Sequence, residues 1–142
     1  MISYNETDDT RFYKTLNEDV QIKQDEFARW DIQIQNGDYV NVTGHESLKN
    51  AICIAIMTRY GELYTNPTYN EFGCRIHELI KANKSQMVKY KIELFVTEVL
   101  EKMRRIQLIN WIEIEESDIN NYCISFSVTS INDEIVEGSV TL

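Results

Sequence analysis

The sequence lacks any apolar run approaching the roughly 18 to 20 residues that a membrane span requires. It is also poor in basic residues, since 14 Lys and Arg stand against 23 Asp and Glu, a formal net charge of -9. A surface of this sign repels phosphate backbones. The polar residues 1–10 do not show the basic and then apolar pattern of a secretory signal. We therefore expect a cytoplasmic protein that binds neither membranes nor nucleic acid.

Cysteine is scarce, and Cys53, Cys74 and Cys123 are odd in number and widely separated. Each lies among apolar or strand-like neighbours, which predicts reduced, buried thiols and no disulfide framework. The spacing of Cys74 and His77 would place both on one face of a helix. Two such ligands do not make the four of a structural zinc site, so we predict neither a metal nor a cofactor.

Motifs for catalysis are missing as well. No serine or cysteine stands in a nucleophile motif such as Gly-x-Ser-x-Gly. The best carboxylate pairs are Glu62 with Glu71 and Glu113 with Glu115, but the second pair lies at an acidic strand end that is typical of a solvated edge. The sequence therefore predicts no catalytic residues and no enzyme.

The length and the 43% hydrophobic content are those of one domain with its own core. Residues 1–28 are polar and weakly periodic, and we interpret them as an N-terminal arm. Residues 29–142 form the predicted domain. It opens with a hairpin signal, because extended patterns flank Asn36-Gly37, a favoured two-residue turn.

Three helices are predicted after the hairpin. Thr43 and Glu46 fit a capping box that starts the first helix, which Gly61 would end in a left-handed turn. A short second helix is predicted over 71–81. The third runs from Ser85, its predicted N-cap, to about residue 104, with one core-facing apolar stripe.

Three strands are predicted after these helices. In the first, Ile106, Leu108, Ile112 and Ile114 alternate on one face, and strands over 122–129 and 135–142 follow. The predicted fold is therefore a single α+β domain with three helices packed on a mostly antiparallel sheet.

The aromatic loop after the first helix contains the only proline, Pro67. Arg59 and Glu62 could fix this loop by a charge-assisted bond or could face a neighbouring subunit. Tyr60, Tyr64 and Tyr69 cluster on the same loop, where their rings suit an interface as well as the lid of a core. The residues alone leave both alternatives open.

The order of motifs around this loop resembles the baseplate assembly protein W family, a lysozyme-like wedge protein family of contractile phage tails. The helix Ala-Ile-Cys-Ile-Ala-Ile-Met at 51–57 runs into Thr58-Arg59-Tyr60-Gly61-Glu62, and Pro67-Thr68-Tyr69 follows. Arg104-Arg105-Ile106 occupies the place of the family's Glu-Pro-Arg-Ile, of which Arg105 and Ile106 match. Asn70 stands where relatives usually have glycine. The resemblance extends over residues 31–142.

This resemblance implies a structural baseplate subunit of a contractile phage tail or a tail-like injection system, located in the virion tail and assembled in the host bacterial cytoplasm. Such a subunit would join wedge and tube and template the first sheath ring through its C-terminal strand. The implied partners are sheath protein, other baseplate wedge proteins, and tail tube or hub proteins. The predicted interface residues are Arg59, Glu62, Tyr64, Tyr69, Arg105, Ile135, Val136, Val140 and Leu142.

Physical arguments bear on this role independently. A strand at 134–142 would leave unpaired backbone groups that another protein can complete by strand addition, unless the strand is internal and fully paired. The acidic surface predicts a monomer before assembly, because like-charged subunits repel one another. An alternative from another class is a small acidic adaptor domain that binds one protein partner and is unrelated to tails.

Overall fold

The computed structural model describes residues 18–25, 29–79, 85–118 and 121–142. Most of the predicted arm, residues 1–17 and 26–28, lies outside the described residues, as does the helix break predicted at 82–84. The boundary between arm and domain stays a prediction.

The N-terminal part of the described chain forms three short antiparallel ribbons. The strands are β1 (Glu18–Val20) with β6 (Asn41–Thr43), β2 (Ile22–Gln24) with β3 (Trp30–Ile32), and β4 (Ile34–Gln35) with β5 (Asp38–Tyr39). Asn36 and Gly37 connect β4 to β5 with φ of 53° and 80°. Positive φ at both central residues is the signature of a type I′ hairpin turn, so the predicted Asn-Gly turn is confirmed.

A three-stranded antiparallel sheet forms the C-terminal part of the chain. Its strands are β7 (Ile106–Asp118), β8 (Asn121–Ser130) and β9 (Ile135–Thr141), in the order β7-β8-β9. The pairing of β8 with β9 is regular over seven residue pairs, from Cys123↔Thr141 to Thr129↔Ile135. The predicted mixture of helices with an antiparallel sheet agrees with this architecture.

The strand β7 is less regular than its sequence predicts. Its register against β8 shifts between Ile106 and Leu108 and again between Ile109 and Trp111. Each irregularity changes which residues face the core. Leu108, which we predicted on the face of Ile106 and Ile112, is therefore 59% exposed, whereas Ile109 packs against the core.

Two α-helices are present in the described ranges, α1 (Gly44–Met57) and α2 (Gln86–Glu101). The predicted helix over 71–81 is wrong: residues 71–79, the described part of that range, contain only a 3-10 turn at Arg75–Glu78. Gly73 has a φ of 113° and Cys74 is extended, so the backbone cannot be helical at those positions. No described helix has both the length and the apolar content of a membrane span.

Of the three predictions about helix ends, one is confirmed and two are wrong. The Ser85 hydroxyl accepts a hydrogen bond from the Val88 N–H at 3.2 Å, so the predicted cap of α2 is confirmed. Thr43 occupies the N-cap position of α1, but its side chain makes no capping bond, and the predicted capping box is wrong. The helix also ends at Met57 instead of Gly61, because Thr58 is extended.

Both helices pack on one face of the sheet, α1 mainly against β9 and α2 against β7. The alternate residues of β8 that point towards them are completely or almost completely buried: Tyr122, Ile124, Phe126 and Val128. They meet apolar residues of α1 and α2, of which the most buried are Leu48, Ile52, Ile56, Ile92, Val96 and Leu100. This packing makes the sheet a rigid support for the groups exposed along its edges and on the neighbouring loop.

Candidate protein-interaction surfaces

The segment between α1 and α2 contains a closed loop, residues 59–74, which we call the tyrosine loop. Its two ends are pinned together, because the Cys74 N–H donates to the Thr58 carbonyl at 2.8 Å and the Tyr60 N–H donates to the Cys74 carbonyl at 3.1 Å. Successive turns with bonds three residues apart fill the loop, for example from the Glu62 N–H to the Arg59 carbonyl at 3.0 Å. The loop is therefore ordered by its own backbone.

Gly73 allows the two ends of this loop to approach. A Cβ atom at Gly73 would lie 2.6 Å from the Arg59 carbonyl oxygen and 2.8 Å from that of Thr58. Both atoms belong to the backbone and cannot move aside as a flexible side chain would. Closure of the loop thus requires glycine at this position.

Arg59 and Glu62 interact, but not as a pair of side chains. The Glu62 carboxylate accepts from the Arg59 backbone N–H at 3.1 Å, a charge-assisted bond that fixes the start of the loop. Burial lowers the pKa of the nearby His77, the charge of Arg59 lowers it further, and the His77 Nε2 lies 3.2 Å from the Ile56 carbonyl oxygen. A neutral imidazole donating to that carbonyl fits both observations.

The tyrosines of the loop divide into two kinds. The Tyr60 ring lies beneath the Arg75 guanidinium, 4.7 Å from its centroid, with the Lys102 amine at 5.8 Å. Tyr64 is 76% exposed. Tyr69 is half-exposed and packs edge to face against Phe72 at 5.9 Å. Tyr64 and the outer part of Tyr69 therefore expose aromatic side chains on an ordered loop.

The side chains of β9 alternate between the core and solvent. Val136 is 4% exposed and Val140 is fully buried, so both belong to the core, and Leu142 is half-buried against it. Ile135 is 67% exposed. Of the four predicted interface residues in this strand, only Ile135 presents most of its side chain to a partner.

The backbone of β9 alternates in the same way. The N–H and carbonyl groups of Leu142 both bond to Tyr122, at 2.8 and 2.6 Å, so even-numbered residues of this strand pair with β8. The backbone groups of Ile135, Glu137, Ser139 and Thr141 consequently face away from the sheet. Those of the first three form no hydrogen bond within the described part of the chain. This outer row is the β9 edge.

Arg105 lies at the connection between α2 and β7. It is half-buried, and its carbonyl accepts from the Ile131 N–H at 3.0 Å, which ties this connection to the turn after β8.

Two exposed apolar patches were missed by sequence reasoning. One lies on the outer face of α2, where Met87, Tyr90 and Leu94 are 63%, 64% and 45% exposed. Their spacing of three and four residues was visible in the sequence beside the stripe that faces the core. The other is the β4–β5 hairpin, where Ile34 and Tyr39 are 65% and 59% exposed.

The thiols and carboxylates do not assemble into a chemical centre within the described ranges. No three His, Cys, Asp or Glu side chains there come together as a metal site would need. Burial raises the pKa of Cys53 and that of Cys74 to about 11. Both thiols are therefore protonated near neutral pH and are poor metal ligands or nucleophiles.

Comparison with known proteins gives a family and a fold. The model of the contractile injection system sheath initiator family matches residues 18–133. No curated protein sequence matches the chain. The fold is similar to the crystal structure of a protein from Geobacter sulfurreducens proposed to be a tail lysozyme, at 20% identity and a TM-score of 0.58, over 68% of this chain and 87% of that one. At this identity the likeness shows the fold alone.

Proposed function

Because the chain belongs to the contractile injection system sheath initiator family, we propose that it is a non-enzymatic baseplate subunit that templates the first sheath ring through its β9 edge. The observation that carries this proposal is the row of outward backbone groups at Ile135, Glu137 and Ser139, which have no hydrogen-bond partner within the described chain. A strand of a sheath subunit would complete them by strand addition.

The sheet has a second outer strand, β7, and its irregularity favours β9 as the template. The register of β7 against β8 shifts at three places, whereas β9 pairs without interruption. Bulges twist an edge and interrupt its hydrogen-bonding row, which is a common protection against unwanted strand addition. The regular β9 edge carries no such protection.

The buried valines of β9 support this role indirectly. Val136 and Val140 anchor the strand in the core, so its outward groups are held in place before a partner arrives. Preorganisation of this kind reduces the entropy lost on binding. The exposed Ile135 side chain supplies an apolar contact at one end of the row.

A groove of about 770 Å³ borders the β9 edge and offers space for an added strand. It lies between β2, α1 and β9, and its lining includes Trp30, Glu137 and Ser139. The buried indole N–H of Trp30 has no acceptor among the described residues.

The tyrosine loop is the second proposed interface, directed at wedge proteins. Tyr64 and Tyr69 present aromatic surface on a loop that Glu62 and Gly73 hold in one conformation, so little order would be lost on binding. Arg59 and Arg105 belong to this proposal as polar contacts. The subunit would thereby join the wedge and the tail tube or hub at the inner baseplate, after assembly in the host bacterial cytoplasm.

The role of the β9 edge can be tested with a pair of substitutions at Ser139. Ser139→Pro removes an N–H that faces outward and is not used inside the sheet, whereas Ser139→Ala keeps that N–H and removes only the hydroxyl. We expect Ser139→Pro to weaken capture of purified sheath protein at least about tenfold. We expect Ser139→Ala to bind as the unchanged chain does.

Thermal melting of both variants serves as the control, because an edge proline must leave the fold intact for the binding result to count. Equal binding by a folded Ser139→Pro variant would exclude the β9 edge as the template and direct the search to the tyrosine loop. Failure of the unchanged chain to bind sheath protein would reject the templating role itself.

A further inference from the structure

One position of the β9 edge is occupied by a side chain of the same protein. The Thr141 N–H donates to the Oε1 atom of Gln24 at 3.1 Å, and the Gln24 Nε2 donates to the Thr141 carbonyl at 2.8 Å. A carboxamide carries the same donor and acceptor as a peptide group. Gln24 therefore takes the place that a residue of a neighbouring strand would take opposite Thr141.

Gln24 is held there by a supported element. It ends β2, where it pairs with Trp30 of β3. Asn50 of α1, which is 5% exposed, bonds to this segment from beneath: its Oδ1 accepts from the Ile22 N–H at 2.9 Å and its Nδ2 donates to the Val20 carbonyl at 3.0 Å. The contact with Thr141 is thus backed by a buried, satisfied amide that ties the ribbon to α1.

From this arrangement we infer that Gln24 sets the register of the strand that the β9 edge receives. The inference rests on the proposed templating function and specifies its geometry. An added strand can pair with the outward groups of Ile135, Glu137 and Ser139, but it meets the Gln24 carboxamide at Thr141 and must end there. A regular strand without such a stop could slip along its partner by two residues and keep the same faces.

Removing the stop should lengthen the site by one pairing position. Gln24→Ala deletes both bonds to Thr141, and Asp31→Ala is the matched control because it changes an exposed residue of the paired strand β3 that does not line the groove. Residue-resolved hydrogen exchange reports each outward amide separately. In the free protein we expect Gln24→Ala to speed exchange at the Thr141 amide about fivefold, the factor that corresponds to one ordinary net hydrogen bond. Asp31→Ala should leave it unchanged.

The decisive measurement repeats the exchange with purified sheath protein bound. In the unchanged chain and in Asp31→Ala, the amides of Ile135, Glu137 and Ser139 should gain protection while that of Thr141 stays as it was. In Gln24→Ala, the new protection should extend to Thr141.

The outcomes separate this inference from the function on which it rests. If sheath protein protects Thr141 equally in the unchanged chain, Gln24 is displaced on binding and is not a stop. If protection in Gln24→Ala still ends at Ser139, something other than Gln24 limits the strand. If sheath protein protects none of the outward amides in any variant, the templating function fails, and this inference fails with it.

Discussion

Gly73 occupies a position where the backbone requires glycine. Its φ of 113° suits only glycine, and a Cβ would meet the Arg59 carbonyl at 2.6 Å. We expect Gly73→Ala to lower the free energy of unfolding by roughly 3 kcal/mol, because backbone strain and a backbone clash act together. Chemical denaturation measures the loss.

Gly61 in the same loop is the matched control for that substitution. It has a φ of 79°, but a Cβ there would have no neighbour within 4 Å. Gly61→Ala should therefore cost only the strain of a left-handed alanine, about 1 kcal/mol. Equal losses at the two positions would mean that the contact between loop ends does not decide the effect.

Residues whose conformation depends on near neighbours were predictable from the sequence. The Asn36-Gly37 turn and the Ser85 cap involve groups at most three residues apart, and both predictions are confirmed. Thr43 fits the same kind of rule, yet its capping bond is absent. It is also the last residue of β6 and pairs with Glu18, and Gly44 follows with a φ of 62°. Such long-range pairing is not visible in a window of four residues.

At the level of elements, the tyrosines of the tyrosine loop have two different expected roles, one in stability and one in binding. Tyr60 packs beneath Arg75, so Tyr60→Ala should lower the free energy of unfolding by about 1 kcal/mol. Tyr64 is 76% exposed, and Tyr64→Ala should change it by less than about 0.5 kcal/mol. We expect Tyr64→Ala to weaken binding of a purified wedge protein by roughly tenfold, since interface tyrosines often carry much of the affinity.

Denaturation and wedge-protein capture, measured on both variants, check this expectation. If a stable Tyr64→Ala variant still binds every wedge protein at full strength, Tyr64 does not belong to the proposed interface. A large loss of stability in the same variant would instead assign Tyr64 to the core lid, the alternative that the sequence left open.

In two elements, the periodicity of apolar residues predicts the wrong local structure. Phe72, Ile76 and Leu79 recur at helical spacing, but the closure of the tyrosine loop at Cys74 keeps the backbone extended there, and the described residues 71–79 contain only one 3-10 turn. In β7, alternation placed Leu108 on the core face, and bulges turned it outward. In both cases the backbone departs locally from the regular geometry that the pattern assumes.

For the whole molecule, the order of motifs predicted the function more closely than the composition did. The order of motifs indicates a contractile-tail baseplate family, and the family model agrees over residues 18–133. That match leaves the adaptor alternative without support. The position of the β9 edge, by contrast, follows from the strand order of the sheet, which local sequence patterns do not specify.

The net charge of -9 bears on assembly at the same scale. Exposed apolar side chains on α2 and on the β4–β5 hairpin could join two copies, and an open strand edge could pair with itself. Repulsion between like-charged subunits opposes both contacts. We therefore expect the purified chain to sediment as a monomer at low micromolar concentration in low salt.

Salt concentration tests the cause of that monomeric state. At about 1 M ionic strength the screening length falls to roughly 3 Å, so repulsion is removed while apolar contacts remain. If charge keeps the subunits apart, weak self-association should emerge at high salt and vanish on dilution into low salt. A stable dimer already present in low salt would contradict the expectation, and it would mean that the β9 edge or an apolar patch is covered by a second copy before any sheath subunit arrives.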